Sequence, residues 1–86
     1  MKNKVLIKLI VPMMDRSFDL FIPVNETVGK IKKLMINSIS DITRVQLANN
    51  KEYILINKDT AETYDNNKIV IDTNIRNATE LVLLVL

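Results

Sequence analysis

The side chains able to do chemistry in this sequence are carboxylates, ammonium groups and hydroxyls, because it contains no histidine and no cysteine. That removes the usual neutral-pH acid/base, the commonest metal ligand, disulfides, thiolate nucleophiles and cysteine-ligated zinc. General acid/base work would then fall to paired carboxylates. Asp15, Asp19, Glu62, Asp65, Asp72 and Glu80 instead stand singly beside turns and strand ends, where capping and solvation account for them. The single glycine, Gly29, cannot build a glycine-rich phosphate cradle. The reading is therefore of a chain with no catalytic residues, no metal ligands and no cofactor: not an enzyme.

The charges that do cluster are basic. Lys30, Lys32 and Lys33, with Arg44, could offer a basic patch to an acidic partner, and a solvated helix face explains them as well. The net charge of +2 is too small to argue for nucleic acid. It is uneven, however: residues 1–50 carry eight Lys/Arg against four Asp/Glu, and residues 51–86 carry four against six. Such asymmetry can steer a protein partner.

These residues must be placed by a single small domain, since 86 residues support one core. Lys4 to Val11 alternates with period two, Val5, Ile7, Leu9 and Val11 on one face and Leu6 and Ile10 on the other, which reads as a strand. Pro12 to Arg16 supplies a turn, and Ser17 to Val24 alternates again with Phe18, Leu20 and Ile22 inward and Asp19 and Phe21 outward. The period then changes to that of a helix: Val28, Ile31, Met35 and Ile39, with Leu34 beside them, form an apolar stripe capped by Thr27 or Asn25. Asn37-Ser38 and Ser40-Asp41 suggest an end near Ile39.

Asp41 to Lys51 reads as a polar connection, with Ile42, Val45 and Leu47 as satellites of the core. Tyr53 to Ile56 is a third strand, followed by a turn at Lys58-Asp59-Thr60 and a short extended piece at Glu62 to Tyr64. Asp65-Asn66-Asn67 turns, Lys68 to Ile75 forms a compact loop with a helical turn, and Leu81 to Leu86 closes as a strand. That last apolar run is far short of the ~20 residues of a membrane span, and the interrupted N-terminal run is no signal peptide. The expectation is a cytoplasmic chain without direct membrane insertion. A final strand inserted parallel to the first, with the helix across one face, gives an α+β β-grasp: a mixed four- to five-stranded sheet in one domain, residues 1–86.

Three features resemble the ubiquitin-like superfamily. They are Phe18-Asp19-Leu20-Phe21-Ile22-Pro23-Val24 leading into Thr27-Val28, the segment Asn74 to Leu83, and the order of elements over nearly the whole chain. Within it the sequence is similar to the YukD-like group, which includes EsaB. The shared features are Phe18-Asp19-Leu20, Asn57-Lys58-Asp59, and the ending Ile75, Asn77, Leu81. Ala78 stands where such proteins tend to have glycine, which assigns the left-handed conformation to Asn77. The resemblance implies an accessory factor of bacterial type VII secretion.

Conjugating and sulfur-carrying relatives work through a Gly-Gly tail, and no glycine follows Gly29 here. The expectation is binding without covalent tail chemistry; a β-grasp carrier with an atypical tail and a generic adaptor are the alternatives. If alternate residues of the first and last strands face the helix, then Leu6, Ile10, Phe21, Val82, Leu84 and Leu86 form a contiguous outward apolar patch. In the superfamily that sheet face serves recognition. The implied occupant is a protein, a secretion-system component or a second copy, unless residues 41–51 or 61–73 fold over the face.

Overall fold

A computed structural model describes residues 3–48 and 51–86. β1 (Lys4–Val11) and β2 (Arg16–Pro23) pair antiparallel, in register from Lys4 opposite Pro23 to Val11 opposite Arg16. The hairpin closes through a 3-10 turn over Pro12–Met14 and Asp15 at φ 52°, a left-handed position that aspartate tolerates better than most side chains. α1 (Val28–Thr43) follows, then β3 (Tyr53–Asn57), a second 3-10 turn over Val70–Asp72, and β4 (Glu80–Val85). The sheet runs β2-β1-β4-β3, with β4 parallel to β1 and antiparallel to β3. One helix on a four-stranded mixed sheet is the ubiquitin-like β-grasp, α+β as the element order implies.

Alternation decides which side of the sheet the helix covers. Ile7, Leu9, Val11, Phe18, Ile22, Leu55, Leu81 and Leu83 are buried beneath α1, which contributes Val28, Ile31, Met35, Ile36 and Ile39. Each fully buried aliphatic contributes about 1.5–3 kcal/mol relative to exposure. The Thr27 hydroxyl caps α1 by accepting the Lys30 N–H at 3.3 Å. Gly29 permits a close approach: a Cβ there would meet Asn66 atoms at 3.3 Å, a tight contact, in a place where the Gly29 N–H donates to the Asn66 carbonyl at 2.9 Å.

Several details correct the expectations. The helix does not end near Ile39. The Thr43 hydroxyl donates to the Ile39 carbonyl at 2.7 Å, and Arg44 at φ 60° closes the final turn. Leu34 is 41% exposed, and Ile36 occupies the buried flank in its place. Ile42 and Val45 are exposed, so Leu47 alone of that trio joins the core. Val85, which alternates with Leu81 and Leu83 on the helix side, is 40% exposed at the C-terminal end of β4. Asn49 and Asn50, within the expected polar connection, lie outside the described residues.

Asn77 is not the left-handed residue. Its side chain accepts the Leu6 N–H at 2.9 Å, acting as a strand partner to β1, while Ala78 takes φ 72° and donates its own N–H to the Leu6 carbonyl. A left-handed alanine costs about 1–2 kcal/mol against glycine's near freedom. Ala61, at φ 61°, repeats the device just after β3.

Candidate protein-interaction surface

The uncovered side of the sheet collects the alternate residues of all four strands, and the strand registers arrange them in rows. One row places Phe21 of β2 opposite Leu6 of β1. The next places Asp19 opposite Lys8, Lys8 opposite Glu80, and Glu80 beside Lys58, whose ammonium lies 3.7 Å from its carboxylate. A third row sets Ser17 opposite Ile10, Ile10 opposite Val82, and Val82 opposite Ile56; Leu84 and Ile54 follow as the fourth.

The expected patch is therefore not contiguous. Leu6 and Phe21 form one apolar pair, 40% and 55% exposed, while Ile10, Val82 and Leu84 belong to a larger group with Ile54 and Ile56, and Leu86 lies at its end. Between the two runs a row of alternating charge: Asp19, Lys8, Glu80, Lys58. The cause is register. Lys8 and Asp19, charged outward residues of the N-terminal hairpin, face one another, and β4 enters with Glu80 at the same level.

Thr63, in the 61–73 stretch, pairs with Ile56 at the edge of β3, and Ile10, Ile54, Ile56 and Val82 are half-buried. The 61–73 stretch packs at the helix entrance, where Val70 is buried and the N–H groups of Val70 and Ile71 donate to the carbonyls of Glu26 and Val24. Leu47, from the connection after α1, enters the core on the helix side, with its N–H donating to the Ser40 hydroxyl. Leu6, Phe21, Leu84 and Leu86 remain exposed.

The basic helix residues divide differently. Lys30, Lys32 and Lys33 line an open groove with Lys51, Glu52 and Tyr53, but Arg44 sits beyond the other end of α1, about 16 Å from Lys33 at 1.5 Å per helical residue. The structure does not join Arg44 to the lysines. Lys30 pairs with Glu26 at 3.3 Å, across an exposed i,i+4 spacing worth a few tenths of a kcal/mol. Lys32 is not simply solvated. Its ammonium donates to the Tyr53 carbonyl at 2.8 Å, and burial pushes its pKa down while the Glu52 carboxylate pulls it back up. Spacing shows why: Lys32 lies four residues after Val28 and four before Ile36, on the flank of the buried stripe.

Behind the open face, a polar cluster fixes the end of β3. The buried Asn57 accepts the N–H groups of Asp59 and Thr60 and donates to the Tyr64 hydroxyl at 3.1 Å. The Tyr64 hydroxyl donates in turn to Asn74 at 2.6 Å. Burial raises the Tyr64 pKa, the Asn57 hydrogen bond opposes the rise, and the Glu62 charge adds to it. This cluster holds the turn that delivers Lys58 to the charge row.

Strand pairing also reveals surface residues that alternation alone left unassigned. Ile54 and Ile56 stand on the open face through their pairing with Leu84 and Val82. Their segment, Tyr53-Ile54-Leu55-Ile56, is apolar at every position, so periodicity could not say which pair faced out.

The sequence matches no family profile and no curated protein. Solved structures share the fold. The ubiquitin-like domain of EccD5 from Mycobacterium xenopi superposes with a TM-score of 0.80 at 10% identity, over 98% of this chain and 96% of that one. A chain of the MycP5-free ESX-5 inner membrane complex superposes at 0.79 with 9% identity; it covers 98% of this chain, which spans only 21% of that larger one. A ubiquitin-like domain from Arabidopsis thaliana superposes at 0.67 with 17% identity, over 96% of this chain and 78% of that domain. The fold is that of ubiquitin-like domains.

Proposed function

We propose that this chain is a non-catalytic, ubiquitin-like interaction module that serves bacterial type VII secretion from the cytoplasm. Its working surface is the open sheet face, with Ile10, Val82, Leu84, Ile54 and Ile56 as the main apolar contact and Leu6 with Phe21 as the lesser one. The observation that carries this reading is the likeness in fold to the EccD5 domain over almost the whole of both chains, together with the YukD-like residues Phe18-Asp19-Leu20 and Asn57-Lys58-Asp59. The exposed Leu6, Phe21, Leu84 and Leu86, beside the half-buried Ile10, Val82, Ile54 and Ile56, support binding, because exposed apolar surface marks interaction sites. No helix of the described residues is long and apolar enough to cross a membrane.

Deleting the gene and assaying export of type VII substrates tests the reading. Export should fall and return on complementation. Unchanged export would reduce the chain to a generic adaptor, and adenylation of the chain by a partner enzyme with ATP would instead identify a carrier.

A further inference from the structure

The order of charges across the open face is antisymmetric. Reading from β2 to β3 the row is minus, plus, minus, plus: Asp19, Lys8, Glu80, Lys58. Rotating a second copy by a two-fold axis parallel to the strands, midway between β1 and β4, reverses the order while keeping the level along the strands. Asp19 then faces Lys58 of the second copy, and Lys8 faces its Glu80. In the same operation Ile10 faces Val82 of the second copy in the neighbouring row. A two-fold axis across the strands through the row would set each charge against itself, and one displaced from it would bury charges against apolar side chains. Of these arrangements only the first pairs opposite charges along the whole row; in the neighbouring row it sets Ile10 against Val82 and Ser17 against Ile56.

On the reading of the open face as the partner surface, we propose that its occupant is a second copy of this chain, forming a face-to-face dimer about that axis. Such an interface is isologous, so one patch must complement itself, and this row does. Two sheets packing in this way keep their strands within about 30° and lie ~10 Å apart, close enough for facing Lys and Glu side chains to meet. Among the described residues Lys8 and Asp19 have no ion-pair partner within their own chain, which leaves them available to the other copy. Ile10 and Val82 provide the apolar contact; the charge row sets orientation, since like charges brought together are strongly disfavoured.

Sedimentation equilibrium of the full chain, with circular dichroism to confirm folding, tests this. The wild type should move from 9.9 kDa towards twice that mass as concentration rises. Lys8→Glu and Glu80→Lys should each weaken association by at least about tenfold. Mixing the two variants should restore it. The carboxylate introduced at position 8 of one chain then faces the ammonium introduced at position 80 of the other, and the unaltered Glu80 of the first faces the unaltered Lys8 of the second. Within each chain the neighbouring like charges persist, so recovery on mixing cannot come from repairing the fold. A wild type that stays monomeric to about millimolar concentration, single variants that associate like wild type, or a mixture no better than its components would each overturn the proposal. If the wild type is monomeric while Leu84→Asp still abolishes type VII export, the second copy is excluded and the open face stands as the surface for another protein.

Discussion

Leu81 and Leu83 lie under α1 with no exposed surface, whereas Val82 and Leu84, each one residue along the same strand, stand on the uncovered side. Strand geometry makes the two sets equally apolar neighbours with opposite surroundings. The covered side is uniform: the buried strand residues that meet the helix stripe are aliphatic or aromatic, down to Tyr53 and the hydrogen-bonded Asn57 at its margin. The open side is patterned, two apolar groups divided by a charge row. A core tolerates no such division, because an unpaired charge under α1 would cost several kcal/mol. A recognition surface gains from it, since charges add orientation to apolar contact.

Paired substitutions give the sharpest test of that contrast. Leu81→Ala should cost about 3 kcal/mol, lowering Tm by more than ~10 °C in thermal unfolding, whereas Leu84→Ala should change stability by less than about 0.5 kcal/mol. Equal losses would erase the distinction between the faces. Asn57→Ala should cost about 2 kcal/mol, because it removes a buried side chain that accepts the turn N–H groups of Asp59 and Thr60 and donates to Tyr64; a denaturant titration measures it.

Tyr64→Phe should cost about 1 kcal/mol at neutral pH by removing the hydroxyl shared with Asn57 and Asn74. The sign of its pH dependence follows from the raised pKa. The unfolded tyrosine ionises near 10 while the folded one holds its proton, so its contribution is complete below pH 10 and is lost above it. The gap between wild type and Tyr64→Phe should therefore narrow above pH 10; a widening gap would refute the assignment. The smallest effect is a gain: Ala78→Gly should stabilise by up to about 1 kcal/mol, as the left-handed backbone loses its Cβ strain.

The hairpin and the helix stripe are legible because each rests on local periodicity repeated several times; the closing strand is legible as the apolar run Leu81 to Leu86 that suits a central strand. Thr27 is legible as a cap for the same local reason. Lys32 reads as a solvated lysine from its charge, although its i−4 and i+4 neighbours, Val28 and Ile36, are buried. The left-handed position falls on Ala78 against residue preference, because glycine and asparagine propensities say nothing of the Leu6 N–H that claims the Asn77 side chain. The charge row is illegible for a deeper reason. Lys8 and Glu80 are 72 residues apart, and their meeting depends on a strand register that no single segment encodes.

The most direct test of the account compares Leu84→Asp with wild type in cells that otherwise lack the chain, with Tm measured on the purified proteins. The variant should unfold within about 5 °C of wild type and yet fail to restore export of type VII substrates. Full restoration of export by a folded Leu84→Asp protein would contradict it.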